Sequence, residues 1–178
     1  MKKNVLIIST SLRLDSHSEK LADAFMQGAL KSGHHVEKIS LKDKNIAFCR
    51  GCLACQQSDS CVIKDDAIAI TEKMKNTDVA VFATPIYYYE MSGQMKTLLD
   101  RMNALYHLDY AFRDIYLLTT AAEDESYVPQ RAINGLEGWI ECFDNVKLKG
   151  SVFAGGADSC VMEEHKALKE AYELGKNL

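Results

Sequence analysis

Short apolar runs alternate along this chain with apolar residues at helical spacing. Residues 5–8, 36–41, 79–83, 115–118 and 152–154 have the length and residue types of strands. Between them lie stripes with the period of a helix that buries one face. Leu21, Phe25 and Ala29 form the first stripe and stop before Gly33, a residue suited to the left-handed position that ends helices. Residues 66–76 carry a weaker helical pattern. Met95, Leu98, Leu99, Met102 and Leu105 follow Ser92, a good N-cap, while Ile133, Leu136, Ile140 and Phe143 follow Pro129. Leu168, Ala171, Tyr172 and Leu178 make the last stripe.

Five strands alternating with five helices require right-handed crossovers, and so a parallel sheet covered on both faces. The third run, Val79-Ala80-Val81-Phe82-Ala83, is apolar at every position, as a strand buried on both faces must be. The expected fold is α/β: a flavodoxin-like three-layer sandwich with a five-stranded parallel sheet in the order 2-1-3-4-5. In that order the carboxyl ends of strands one and three open a ligand crevice. With 178 residues, two prolines and no linker-like tract, the chain reads as one domain over 1–178.

Charge narrows the partners. A net charge of −4 without a basic cluster argues against nucleic acid. Lys2 and Lys3 precede an apolar run too short for a signal-peptide core or a membrane span. The expectation is a cytoplasmic protein with no membrane partner. Six cysteines there read as thiols or metal ligands rather than disulfides.

Chemistry collects at the expected crevice. After the first strand comes Ser9-Thr10-Ser11-Leu12-Arg13-Leu14-Asp15-Ser16-His17-Ser18, leading into the first helix. Its hydroxyls and the helix N-terminus offer donors to a phosphate, with Arg13 the one strongly basic group. Ser16 and Glu19 also make an S-x-x-E capping box, so plain capping explains the same serines. Opposite, the loop expected after strand three is Thr84-Pro85-Ile86-Tyr87-Tyr88-Tyr89-Glu90-Met91-Ser92-Gly93. A flat π-system could stack on Tyr87 or Tyr88, or the tyrosines pack the sheet end or a subunit interface. Taken together, the two loops suit a flat heteroaromatic that carries one phosphate.

The motifs Ser11-Leu12-Arg13-x-x-Ser16-x-Ser18, Thr84-Pro85-Ile86-Tyr87 and Ser92-Gly93-x-x-Lys96-x-x-Leu99-Asp100-Arg101 resemble those of the NAD(P)H-dependent FMN reductases of the flavodoxin superfamily. The resemblance runs from the first strand to the last helix. It implies FMN as cofactor, with phosphate on Ser9, Ser11, Arg13, Ser16, His17 and Ser18. The flavin would lie against Thr84, Pro85, Ile86, Tyr87 and Tyr88, near Ser92 and Gly93. Thr119, Thr120, Ala121 and Ala122 would contribute backbone contacts from the loop after strand four. Where this family often has Gly, the chain has Thr10. A homodimer or homotetramer is implied as well.

Cys49, Cys52, Cys55 and Cys61 form a C-x2-C-x2-C-x5-C run between the second strand and second helix. Four soft ligands on one short loop can chelate a metal unaided. The spacing is similar to that of the iron–sulfur flavoproteins, which implies a 4Fe-4S cluster; zinc and free thiols stay open. Cys142 and Cys160 read as small buried hydrophobes. Asp65 and Asp66 read as helix caps, Lys96 as a cofactor contact or a surface lysine, and Asp100-Arg101 as an ion-pair source. Asp109-Tyr110-Ala111-Phe112-Arg113 fits a substrate rim or a subunit contact.

The resulting expectation is an oxidoreductase in which NADH or NADPH passes hydride to FMN. A small acceptor of quinone, flavin or nitroaromatic type then takes the electrons. FMN carries that chemistry, so no catalytic side chain is required. Two alternatives stand beside it: an electron carrier working through a cluster on the four cysteines, and a non-catalytic module of flavodoxin-like shape.

Overall fold

In the computed structural model, which describes residues 1–158 and 161–178, the strands are β1 (Asn4–Ser9), β2 (His35–Ser40), β3 (Val79–Tyr87), β4 (Glu90–Met91), β5 (Asp114–Thr120) and β6 (Lys147–Ala154). All but β4 pair in parallel, in the order β2-β1-β3-β5-β6. Counting parallel strands alone, this is the expected 2-1-3-4-5. The helices are α1 (His17–Lys31), α2 (Cys55–Ser58), α3 (Asp66–Lys75), α4 (Gly93–Arg101), α5 (Gln130–Ile140) and α6 (Lys166–Lys176).

Strand alternation divides the core in two. Leu6, Ile8, Ala80, Phe82, Ile115 and Leu117 face the layer of α3, α4 and α5. Val5, Ile7, Val79, Val81, Ala83 and Leu118 face α1 and α6. Neither face of the three central strands is left to water, which is why their sequence shows no polar alternation.

Several expectations need correction. β3 continues past Ala83 to Tyr87, so Thr84, Pro85, Ile86 and Tyr87 are strand rather than loop. They still have partners: Thr84 pairs with Thr119 and Pro85 with Thr120, while Ile86 and Tyr87 pair with β4 in a tight antiparallel return. Proline's missing N–H is tolerated there because the ladder is ending. Thr119 and Thr120 likewise belong to β5. β6 starts at Lys147, well before the apolar residues 152–154, because an edge strand can alternate Lys147 and Lys149 with Leu148. α4 ends at Arg101 and tightens into a 3-10 segment, Met102–His107, that carries Leu105. Phe143 and Leu178 lie just past their helices. Within the segment 109–113 two rings turn inward: Phe112 is fully buried, Tyr110 stacks on it at 4.6 Å, and the Tyr110 hydroxyl accepts the Asp144 N–H at 2.7 Å, while Asp109, Ala111 and Arg113 stay exposed.

α1 and α6 approach closely through two glycines. A Cβ on Gly28 would lie 2.0 Å from the Tyr172 carbonyl oxygen, and one on Gly175 2.1 Å from that of Phe25. Alanine would return about 1 kcal/mol of helix propensity, against about 1–3 kcal/mol for overpacking a fixed core. Backbone oxygens cannot rotate aside, so the clash wins. Gly28→Ala and Gly175→Ala should each lower the urea midpoint. Gly138→Ala, whose added Cβ meets nothing within 4 Å, should raise it.

Candidate functional site

At the carboxyl end of the sheet, β1 leads into α1 on one face and β3 leads through β4 into α4 on the other. The two connections diverge and leave a cleft. Ser11, Arg13, Ser16, His17 and Ser18 line one side of it, with Pro85, Ile86 and Tyr87 opposite. Thr120, Ala121 and Ala122 close its floor from the end of β5. Six residues expected at the flavin stand outside this lining. Ser9, Thr84, Ser92 and Thr119 are buried beneath it, Gly93 starts α4, and Tyr88 is 98% exposed at the hairpin tip.

Asp15, Glu123, Ala157 and Asp158 also line the cleft and escape the sequence reading. The signal for the last three was positional, since they follow the carboxyl ends of β5 and β6. Those two connections are joined: Ala121 N–H donates to Ala154 O at 3.1 Å and Ala157 N–H to Ala121 O at 2.9 Å. A larger groove, about 780 Å3, opens at the other end of the sheet around His34, Glu72 and Lys73. It is flanked by the C-terminal ends of α1 and α3, which disfavour an anion.

The serine side presents hydroxyls and helix-start N–H groups, a donor set suited to an anion. Ser16 has extended backbone, and its Oγ accepts the Glu19 N–H at 3.2 Å, which caps α1 and leaves its own proton free to donate. Ser18 Oγ lies 3.4 Å from Ser16 Oγ. Ahead of the helix's own ladder, the N–H groups of His17 and Ser18 face out of its start. The Glu19 carboxylate pairs with Lys38 at 3.2 Å. Ser9 Oγ is buried without a partner among the described residues.

Below the cleft, three buried hydroxyls tie its two sides together. Thr10 Oγ1 donates to Ala83 O at 3.1 Å and lies 3.0 Å from Ser92 Oγ. Ser92 Oγ caps α4 by accepting the Met95 N–H at 3.3 Å, and Thr84 Oγ1 accepts the Ser92 N–H at 3.0 Å. Thr10 is therefore a strut between β1 and the start of α4. Above, the hairpin turns through Tyr88 and Tyr89 at φ 52° and 66°. Left-handed backbone at a bulky residue costs about 1–2 kcal/mol each. Tyr89 offsets part of this by stacking on Tyr127, ring centroids 6.2 Å apart.

The cysteine loop is a second centre. Cys49, Cys52, Cys55 and Cys61 are free thiols that all border one cavity of about 400 Å3, with Tyr106, Trp139 and Phe143. Cys142 reaches the same cavity and is exposed, contrary to its expected burial, because it sits in the turn that follows α5. Cys160 lies outside the described residues. Among the described residues, no three metal-ligating side chains converge on a single point. Four thiols bordering one cavity match in number the four that a 4Fe-4S cluster takes. The surroundings also fit: Gly51 N–H donates to Cys49 Sγ at 3.4 Å and Asn103 Nδ2 to Cys55 Sγ at 3.3 Å, and Arg101, which borders the cavity, has its Nε buried without a partner among the described residues.

Arg101 closes this loop at its base. Its guanidinium holds Asp65 through two bonds of 2.6 and 2.8 Å, and donates to Ala47 O and Ile63 O on either side of the cysteines. Both side chains are buried, at 0% and 4% exposure. Asp65 thus does more than cap α3 through the Ala67 N–H. Burial alone would push its carboxyl up, but Arg101 and the Ala47 and Ala67 N–H groups outweigh it and hold it below the usual range. Asp100 instead pairs with Lys96 on the surface at 2.6 Å.

A model of the NADPH-dependent FMN reductase family matches residues 3–127. Over 92 residues the chain is 35% identical to an iron-sulfur flavoprotein of Archaeoglobus fulgidus, a match covering 52% of this chain and 42% of that protein. An iron-sulfur flavoprotein of Methanosarcina thermophila is 26% identical over 150 residues, covering 84% of this chain and 78% of that one. The match to the first of these thus spans less than half of that relative. The solved NAD(P)H:quinone oxidoreductase from Methanothermobacter marburgensis has a TM-score of 0.77 at 19% identity, covering 99% of this chain and 96% of that one. At that identity the likeness is one of fold.

Breaking the Arg101–Asp65 pair leaves a buried charge unmatched, a loss of about 3–5 kcal/mol. Asp65→Asn should show that loss in denaturant melts at neutral pH. Because the Asp65 carboxyl is depressed in the folded protein, its stabilisation is present above the ordinary carboxylate range and fades as pH falls through the depressed value. Stability measured against pH should therefore fall less steeply on the acid side in Asp65→Asn than in wild type.

Proposed function

This chain belongs to the NADPH-dependent FMN reductase family, and we propose that residues 1–178 form one FMN-binding unit that oxidises NADH or NADPH and reduces a small acceptor of quinone, flavin or nitroaromatic type. One observation carries the reading: a cradle of serine hydroxyls and helix-start N–H groups faces Pro85, Ile86 and Tyr87 across a single cleft. The donor set fits a phosphate monoester, and the unpartnered Ser9 Oγ beneath the cleft fits an additional polar contact.

When bound, FMN supplies the redox chemistry, accepting hydride from the nicotinamide and returning electrons to the acceptor. The chain holds and orients. Ser11, Ser16 and Ser18, with the amides of His17 and Ser18, fix the phosphate, and Arg13 adds charge. Pro85 and Tyr87 bear on the ring from β3, while Ala121 and Ala122 offer backbone groups from β5. Tyr88, exposed at the hairpin tip, meets the second substrate. Leu12 and Leu14, which flank Arg13 in sequence, and Tyr87 are exposed, which suits assembly with a second copy. No described helix is long and apolar enough to cross a membrane. The five described cysteines are free thiols, which suits the reducing cytoplasm.

A second reading has its own support. The sulfur-directed N–H groups of Gly51 and Asn103, with Arg101 Nε unpartnered among the described residues, favour a 4Fe-4S cluster on Cys49, Cys52, Cys55 and Cys61. Iron and sulfide analysis after anaerobic reconstitution tests it.

The main reading predicts a yellow protein after FMN addition and rapid NAD(P)H oxidation with a quinone present. Colourless protein that ignores FMN would overturn it. A hydrogen bond to a charged group is worth about 1.5–3 kcal/mol, so Ser18→Ala should weaken FMN binding by about tenfold or more. Riboflavin, which lacks the phosphate, should bind Ser18→Ala and wild type alike. Tyr87→Ala should weaken both ligands by only severalfold, given about 0.5–1.5 kcal/mol for ring stacking. Flavin fluorescence titration reads all three.

A further inference from the structure

We propose that Asn103 sets the reduction potential of a cluster on Cys49, Cys52, Cys55 and Cys61 by donating its side-chain amide to the Cys55 sulfur. The inference rests on the cluster reading above and adds a residue outside the four-cysteine motif. Asn103 lies in the 3-10 segment that follows α4, half-buried, with Nδ2 3.3 Å from Cys55 Sγ. Of the two ends of a carboxamide, only the NH2 end is attracted to a sulfur that carries negative charge.

Its position is anchored. Two residues earlier, Arg101 is clamped by Asp65 and by the carbonyls of Ala47 and Ile63, which flank the cysteines. The loop and the segment bearing Asn103 therefore share one fixed point. Trp139 and Phe143 border the same cavity, and a dipole counts for more beside apolar walls than in water. Reduction adds one electron to the cluster and forms no bond to Asn103. The N–H dipole stabilises the more negative reduced state more than the oxidised one, so it raises the potential. Gly51 N–H acts similarly on Cys49 Sγ, but only proline would remove a backbone donor, and the Gly51 φ of 63° excludes proline.

The test is an electron-paramagnetic-resonance redox titration of the anaerobically reconstituted full chain. Asn103→Leu and Asn103→Asp should each keep the wild-type iron content and titrate at a lower midpoint, with the aspartate variant lower of the two. Wild-type iron content with unchanged midpoints overturns the role of Asn103 and leaves the cluster reading standing. Wild type that binds no iron overturns both. If both variants lose the cluster, wild type decides. With 15N in the asparagine side chains, its reduced cluster must show nitrogen hyperfine coupling, because Asn103 is the one asparagine bordering the cavity among the described residues. Absence of that coupling overturns the proposal.

Discussion

One topological constraint governs this protein: β1 lies between β2 and β3, so the chain winds away from it in opposite senses. The connections that follow β1 and β3 must part at the carboxyl edge of the sheet, and a cleft is the result. What the sequence adds is a way to keep that cleft from spreading. Thr10, Thr84 and Ser92 bury three hydroxyls between the two connections, where unpaired oxygens would be costly. They pair with one another and with Ala83 O, and so fix the distance between the cradle on α1 and the strand end that faces it.

α4 links this cleft to the cysteine loop. Ser92 caps its start and belongs to the hydroxyl strut; Arg101 at its end and Asn103 just beyond hold the cysteines. Nine helical residues span about 13 Å at 1.5 Å per residue, so one short rod fixes both centres. The loop has almost no regular structure of its own, only the four-residue α2, and borrows its order from the Arg101–Asp65 pair. A charge pair so deeply buried carries a desolvation cost, offset here by bonds to Ala47 O and Ile63 O. It is a positional device more than a stabilising one.

Much of this is legible in the sequence. Fully apolar Val79-Ala80-Val81-Phe82-Ala83 announced a central parallel strand, and Ser16 and Ser92 announced two helix starts by the same capping chemistry. What stayed hidden was long-range or conditional. Thr84, Pro85 and Ile86 look like a loop because proline interrupts strands, yet a strand that is finishing tolerates it. Lys147 and Lys149 mask an edge strand whose outer positions face water. Arg101 and Asp65 stand 36 positions apart, and nothing in their local spacing signals that they meet. Asn103 has no motif at all; only the fold brings its amide to a cysteine.

On the proposed reading, the ends of β1 and β3 hold opposite ends of one flavin mononucleotide. A crystal structure of the chain grown with FMN tests it most directly. The phosphate is expected among Ser11, Ser16 and Ser18 at the start of α1, with the isoalloxazine ring against Pro85 and Tyr87. Electron density for FMN at any other place on the molecule would contradict it.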